Sequence, residues 1–100
     1  MIKNGTRLRS QVCDTEVIVV RSADSLDQLR AGGEPMIELG GDETPMGTLD
    51  PDFATGNVMG KRYGDETGAE LLVTRAGHGT LTIAETALTL KNAKPLPASD

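Results

Sequence analysis

The chain has 100 residues, a mass of 10.5 kDa and a net charge of −5, which describes one small acidic domain. A single cysteine cannot close an intramolecular disulfide, and one cysteine with one histidine cannot complete a four-ligand zinc site within one chain. Phe53 and Tyr63 are too few aromatic residues for a platform that stacks single-stranded nucleic acid, and the acidic balance would repel a phosphate backbone.

The first part of the chain is predicted to form short β-strands. The run 16–21 is β-branched and of strand length, and the residues around Leu8 are expected to form a short strand opposite it. The segment 22–30 allows two interpretations, either one or two helical turns or a strand that enters at Gln28. A further short strand is expected over 36–39.

Residues 40–56 are rich in glycine, proline and carboxylates and are expected to form a long irregular loop. A loop of this length in a small domain usually binds something or covers an open sheet edge. The wider stretch 22–60 carries one cation, Arg30, against eight carboxylates. We interpret this acidic stretch as a solvated connector; a cation site or a docking surface for a basic partner is the alternative.

The C-terminal part is more regular. Strands are predicted over 57–63, 70–75, 80–83 and 86–91, with turns at 64–68, 76–79 and 84–85. In the last two strands the alternation places the larger aliphatic side chains inward and the threonines outward, with Leu88 and Leu90 on one face. This spacing of strands and turns predicts a β-meander over 57–91. The tail 92–100 contains two prolines and is expected to be flexible.

These features predict an all-β fold, a small antiparallel sheet or barrel-like domain that spans residues 1–100. It would consist of an N-terminal hairpin module at 9–39, the acidic loop and the C-terminal meander. No apolar run approaches the ~20 residues that cross a membrane, and the N-terminus has no apolar stretch typical of a signal peptide. We therefore expect a cytoplasmic protein that does not bind membranes.

Cys13 has the most reactive side chain of the sequence. It could act as a nucleophile, a redox thiol or a metal ligand, and Arg9 and Arg21 would lower its pKa if they converge on it. The alternative, which we favour, is a small buried residue near the start of a strand. His78 could serve as its general base. However, His78 lies between two glycines at a predicted hairpin tip, where an exposed turn residue is expected.

The remaining clusters are less specific. Asp50 and Asp52 lack the spacing of an EF-hand and suggest adventitious cation binding at most. Neither glycine cluster has the pattern of a phosphate-binding loop. Lys61 and Arg62 beside Tyr63 predict a solvated strand face rather than a nucleic-acid site. Because no complete catalytic set is present, we expect no enzymatic activity.

A knuckle-like segment, Arg9-Ser-Gln-Val-Cys13, precedes the β-branched strand and is followed by Leu29-Arg-Ala-Gly-Gly-Glu-Pro-Met36. This arrangement over 9–39 resembles desulforedoxin and the matching N-terminal domain of desulfoferrodoxin, which are rubredoxin-like. The family holds iron or zinc with four cysteine thiolates, and the metal contributes to the folding of so small a domain. Desulforedoxin itself is a dimer.

The resemblance assigns the four ligand positions to Ser10, Cys13, Ala31 and Gly32, of which only Cys13 can supply a thiolate. It therefore implies a degenerate knuckle without a cofactor, in a hairpin held by packing against 57–91. The expected function is that of a non-catalytic accessory protein, such as the small subunit of a larger enzyme system. A protein partner or a homodimer would complete its thin aliphatic core. The alternative is a metal-binding or redox protein in which Cys13 of two or more chains joins His78 or the acidic loop around iron or zinc.

Overall fold

The computed structural model describes residues 2–42 and 44–91 and confirms an all-β fold. The described residues form ten strands and two short 3-10 helices. They are β1 (Arg7–Arg9), β2 (Glu16–Arg21), a first 3-10 helix (Asp24–Gln28), β3 (Leu29–Ala31), β4 (Glu34–Pro35), β5 (Ile37–Glu38), a second 3-10 helix (Pro51–Phe53), β6 (Arg62–Gly64), β7 (Glu70–Arg75), β8 (Leu81–Ile83), β9 (Thr86–Ala87) and β10 (Thr89–Lys91).

The strands form two antiparallel sheets. The large sheet has six strands in the order β10-β6-β7-β2-β1-β5, and the small sheet has four in the order β4-β3-β8-β9. The predicted strands at 16–21 and 70–75 are confirmed as β2 and β7, which pair at the centre of the large sheet. The short strand at Leu8 is confirmed as β1, opposite β2. Both interpretations of 22–30 apply in succession, since the first 3-10 helix leads directly into β3.

The core lies between the two sheets. Alternate residues of β2 and β7 point into it because successive side chains of a strand face opposite sides. The buried side chains of the large sheet are Leu8, Val17, Val19, Leu71 and Val73, and those of the small sheet are Leu29, Ala31 and Leu81. Each fully buried aliphatic side chain of this size stabilises the fold by roughly 1.5–3 kcal/mol.

The region 57–91 is not one continuous meander. After β7 the chain enters the small sheet, where β8 pairs with β3 and β9, and it returns to the large sheet as β10 beside β6. The strand predicted at 57–63 begins only at Arg62. The strand predicted at 86–91 is interrupted at Leu88 because its two halves pair with different sheets. The strands of residues 9–39 are likewise divided between the two sheets.

The predicted inward face of the last strands is wrong in two places. Leu88 is buried, but Leu90 is 42% exposed because it lies at the edge of the large sheet. Thr82, predicted to point outward, is 1% exposed, and its hydroxyl donates a hydrogen bond to the Ala84 carbonyl at 2.9 Å. A local partner of this kind removes the cost of burying a hydroxyl.

The loop at 40–56 is irregular in the described residues except for the second 3-10 helix. It covers the tip between β3 and β4, where the Asp50 amide donates to the Gly32 carbonyl at 3.0 Å. The predicted flexible tail 92–100 lies outside the described residues. Among the residues that the structure describes, no helix is long and apolar enough to cross a membrane.

Candidate functional site

Cys13 lies in the turn that connects β1 to β2. The turn is closed by Ser10, whose hydroxyl oxygen accepts hydrogen bonds from the amides of Val12 at 3.0 Å and Cys13 at 3.2 Å. Ser10 is 1% exposed, and its own amide donates to the Thr15 carbonyl at 2.9 Å. A buried serine that accepts two amides fixes the backbone of this turn.

The thiol of Cys13 is half-buried among neutral hydrogen-bonding groups. Its Sγ lies 3.2 Å from the hydroxyl of Thr15, which is fully buried. Burial by itself raises the pKa of the Cys13 thiol. Hydrogen bonds from the side chains of Ser10 and Thr15 and from the amides of Thr15 and Gly79 outweigh that effect, so the pKa lies below its ordinary value. Arg9 and Arg21, which are expected to lower this pKa if they converge on Cys13, are not among the groups that shift it.

The loop 76–79 packs directly onto this turn through its two glycines. A Cβ atom at Gly77 would lie 2.5 Å from the Thr15 hydroxyl and 2.6 Å from the Thr15 amide nitrogen. A Cβ atom at Gly79 would lie 3.1 Å from Cys13 Sγ and 2.7 Å from the Gly32 nitrogen. The close approach of backbone to backbone therefore requires glycine at both positions.

Asn57 holds the loop and the turn together. Its side-chain amide donates to the Thr15 hydroxyl at 2.8 Å and to the Gly79 carbonyl at 2.9 Å. Its side-chain oxygen accepts from the Gly77 amide at 3.2 Å. The sequence analysis missed Asn57 because it placed this residue in a strand; the only available signal was an asparagine upstream of a glycine-rich tip.

His78 does not lie at a hairpin tip as predicted, because the loop 76–79 connects β7 of the large sheet to β8 of the small sheet. The loop that carries it does fold back onto the Cys13 turn, and the His78 carbonyl accepts a hydrogen bond from the Gly56 amide at 2.8 Å. The imidazole is exposed, as predicted for a turn residue. Within the described residues no hydrogen bond joins it to Cys13, so the structure does not assemble a Cys–His dyad.

Three of the four positions that the resemblance assigns to metal ligands come together. Ser10 bonds to the Cys13 amide, and Gly32 and Cys13 Sγ both contact the backbone at Gly79. Ala31, the fourth position, is fully buried beside Gly32. The Ser10 oxygen already accepts two amides, and neither Ala31 nor Gly32 has a donor atom in its side chain, so these positions of one chain do not fit a four-thiolate site. Among the described residues no three His, Cys, Asp or Glu side chains lie close enough to share a metal ion.

The other sequence candidates have structural roles. The Asp50 side chain accepts a hydrogen bond from the Asp52 amide at 2.9 Å and so caps the second 3-10 helix. Arg62 is exposed and forms an ion pair with Glu70 at 3.1 Å. The hydroxyl of Tyr63 accepts the Val58 amide at 3.0 Å.

The arrangement around Cys13 is thus a well-ordered thiol among neutral donors, with no general base in hydrogen-bonding contact among the described residues. Such a thiol can react with alkylating agents and oxidants, because the thiolate is the reactive form. No protein-family model, curated protein or solved structure matches this chain.

Proposed function

We propose that this chain is a non-catalytic β-interaction module that acts in the cytoplasm as an accessory protein of a larger enzyme system. An unpaired cysteine suits a reducing compartment. The contacts of Ser10, Thr15 and Asn57 around Cys13 join a turn to a loop, which is a structural role.

The observation that carries this proposal is an exposed apolar surface at the β6–β10 end of the large sheet. Val58, Met59 and Leu90 are 50%, 65% and 42% exposed. Leu90 lies opposite Tyr63 in the sheet, and the Tyr63 hydroxyl accepts a hydrogen bond from the Val58 amide, so Tyr63 lies between Leu90 and the backbone at Val58. We call Val58, Met59, Tyr63 and Leu90 the apolar edge. Contiguous exposed apolar residues on a small protein are typical of protein–protein contacts.

The partner proposed for the apolar edge is an apolar protein surface on an enzyme subunit. An apolar partner is expected because the aliphatic core ends at this edge. Tyr63 packs against the buried cluster on one side and is half-exposed on the other. Covering the edge would remove more apolar area from water, at roughly 25 cal/mol per Å².

The N-terminal turn fits the same proposal as a degenerate knuckle. The bond between Ser10 and the Cys13 amide, together with the approach of Cys13 and Gly32 to Gly79, supports the proposed kinship with the desulforedoxin-like hairpin. In this interpretation, packing of the hairpin against the loop 76–79 replaces the metal as the source of folding energy.

Affinity capture from the native cell tests the proposal. The tagged full chain should retain one protein partner after crosslinking, and the charge-inserting variant Val58→Glu/Met59→Glu should lose it. Met46→Glu is the matched control, since Met46 is 71% exposed but lies in the 40–56 loop. The proposal is wrong if the edge variant retains every protein that the control retains.

A second candidate function is metal binding or redox chemistry at a site that Cys13 forms with residues of another chain. The lowered pKa of Cys13 favours it, because the thiolate is the form that binds metal. Elemental analysis of protein purified without chelator tests it. Stoichiometric iron or zinc that disappears in Cys13→Ser would support this candidate, and metal-free protein with unchanged assembly would exclude it.

A further inference from the structure

The outer face of the large sheet is basic in an otherwise acidic protein. Lys91 lies opposite Arg62, Arg62 opposite Leu72, Leu72 opposite Ile18, and Ile18 opposite Arg7. Because cross-strand partners share one face of a sheet, these residues form a row across five strands. With two further exposed cations on the same side, the basic face is defined by Arg7, Arg21, Arg62, Arg75 and Lys91.

Few carboxylates neutralise the basic face. Glu70 pairs with Arg62 at 3.1 Å, and Glu16 lies 3.9 Å from Arg75. Within the described residues Arg7, Arg21 and Lys91 form no ion pair. At the centre of the face the half-buried Ile18 and Leu72 provide apolar surface.

The elements that adjoin the small sheet carry the opposite charge, with Arg30 of β3 as the only cation of residues 22–56. We call Asp24, Asp27, Glu34, Asp50 and Asp52 the acidic lobe. Glu34, Asp50 and Asp52 lie around the β3–β4 tip, where a Cβ atom at Gly33 would lie 2.8 Å from Asp50 Cβ and the Glu34 side chain lies against Gly47. Asp24 and Asp27 belong to the 3-10 helix that leads into β3 and contacts β8.

The two charged surfaces point in opposite directions. Leu29, Ala31 and Leu81 of the small sheet pack in one cluster with the inner side chains of β2 and β7. The small sheet therefore covers the inner face of the large sheet, and the basic face is directed away from it. The molecule therefore has a basic side and an acidic side although its net charge is −5.

We propose that the basic face binds the acidic lobe of a second copy of this chain, so that copies associate head to tail. Two basic faces would repel each other, which excludes a symmetric contact through that face, whereas basic face against acidic lobe pairs opposite charges. Five strands about 4.8 Å apart present a face roughly 20 Å wide. Strands of about six residues, at about 3.3 Å per residue, make the face roughly 20 Å long, so its area of roughly 400 Å² is smaller than the ~800 Å² per partner of a stable interface. The association is therefore weak, salt-dependent and heterologous. It does not depend on the proposed accessory function.

Sedimentation velocity of the full chain tests this directly. At about 20 mM salt the weight-average sedimentation coefficient should rise steadily with protein concentration, and at about 300 mM salt it should return to the monomer value because charges are screened. Arg7→Glu/Lys91→Glu should lower the association constant by at least about tenfold. Lys3→Glu makes the same change in net charge as Lys91→Glu alone but lies outside both charged surfaces, so Lys3→Glu should retain association and Lys91→Glu should weaken it.

A mixing experiment distinguishes head-to-tail contact from any symmetric one. Asp27→Lys/Asp52→Lys, which removes charge from the acidic lobe, should be monomeric, as should the basic-face variant. Mixed together, each supplies the surface that the other lacks, so the mixture should form one-to-one dimers and nothing larger. Circular dichroism melts confirm that each variant is folded.

The proposal is overturned if the wild-type chain stays monomeric at low salt up to a protein concentration of about 0.5 mM. The dissociation constant would then exceed that concentration, and the association would be too weak for function. It is also overturned if the Lys3→Glu control dissociates as far as Lys91→Glu. Neither result bears on capture of a different protein through the apolar edge, so failure here and failure of the proposed function are separable.

Discussion

The chemistry at Cys13 is set by neutral groups. A buried thiol ordinarily resists ionisation, yet hydroxyls and amides directed at Sγ stabilise the thiolate without any cation in the set. The same donors belong to groups that also hold the backbone: Ser10 closes the turn and Thr15 accepts the Asn57 amide. The lowered pKa of Cys13 is thus a consequence of how the turn is built, and no catalytic role is needed to explain it.

The first prediction concerns the ionisation of this thiol. The rate of alkylation by iodoacetamide should reach half its plateau at a lower pH than it does for an unfolded peptide of the same sequence. A folded pKa below the unfolded one stabilises the fold above the unfolded pKa, and this contribution is lost as the pH falls through the folded pKa. The free energy of unfolding of wild type relative to Cys13→Ser should therefore rise with pH up to about 9. A flat difference across that range would contradict the assignment.

The second prediction concerns backbone strain at the β8–β9 turn. Ala84 has a φ of 54°, a left-handed conformation that costs an L-residue roughly 1–2 kcal/mol. Ala84→Gly should therefore increase stability by about 0.5 kcal/mol after the entropic cost of glycine, measured by urea unfolding. Ala87→Gly in β9 is the matched control and should decrease stability, because it lies in extended backbone without this strain. Equal losses in both variants would contradict this explanation.

At the scale of elements, sequence pattern predicts strands well where local preference decides them. The β-branched run of β2 and the apolar run of β7 have the predicted bounds because each fills one face of the core. Residues 57–61 are predicted as strand, but the side chain of Asn57 bonds to the loop 76–79, while Gly60 and Lys61 share backbone hydrogen bonds with Val73 of β7 outside a regular strand. Pairing partners are a nonlocal property: no local pattern shows that β8 joins β3 or that the chain changes sheets at Leu88.

The third prediction tests the element that holds loop and turn together. Asn57→Ala removes both donors of the side-chain amide and its acceptor, which leaves the amide of Gly77 without a side-chain partner. The expected loss of stability is about 1–3 kcal/mol, by chemical denaturation. Asn4→Ala removes one exposed hydrogen bond, to the Ser22 amide, and should cost less. Equal stability of the two variants would disprove the proposal that Asn57 holds the loop 76–79 and the Cys13 turn together.

At the scale of the whole molecule, the chain combines a small core with three distinct surfaces: the apolar edge, the basic face and the acidic lobe. The sequence showed the acidic stretch but not the basic face, because the cations are scattered between positions 7 and 91 and only the sheet brings them together. The thin aliphatic core was predicted from the scarcity of aromatics, and the place where it ends, at Tyr63 and Leu90, required the structure. We propose these three surfaces, rather than the Cys13 turn, as the places where the molecule contacts others.

The central claim, that the chain acts as a bound accessory module, is tested most directly by its size in a native lysate at physiological salt. Size-exclusion chromatography with immunodetection should place the wild-type chain in a complex far larger than 10.5 kDa, and Val58→Glu/Met59→Glu should shift it to the monomer position. A wild-type chain that elutes as a free monomer from its own cell lysate would contradict the claim.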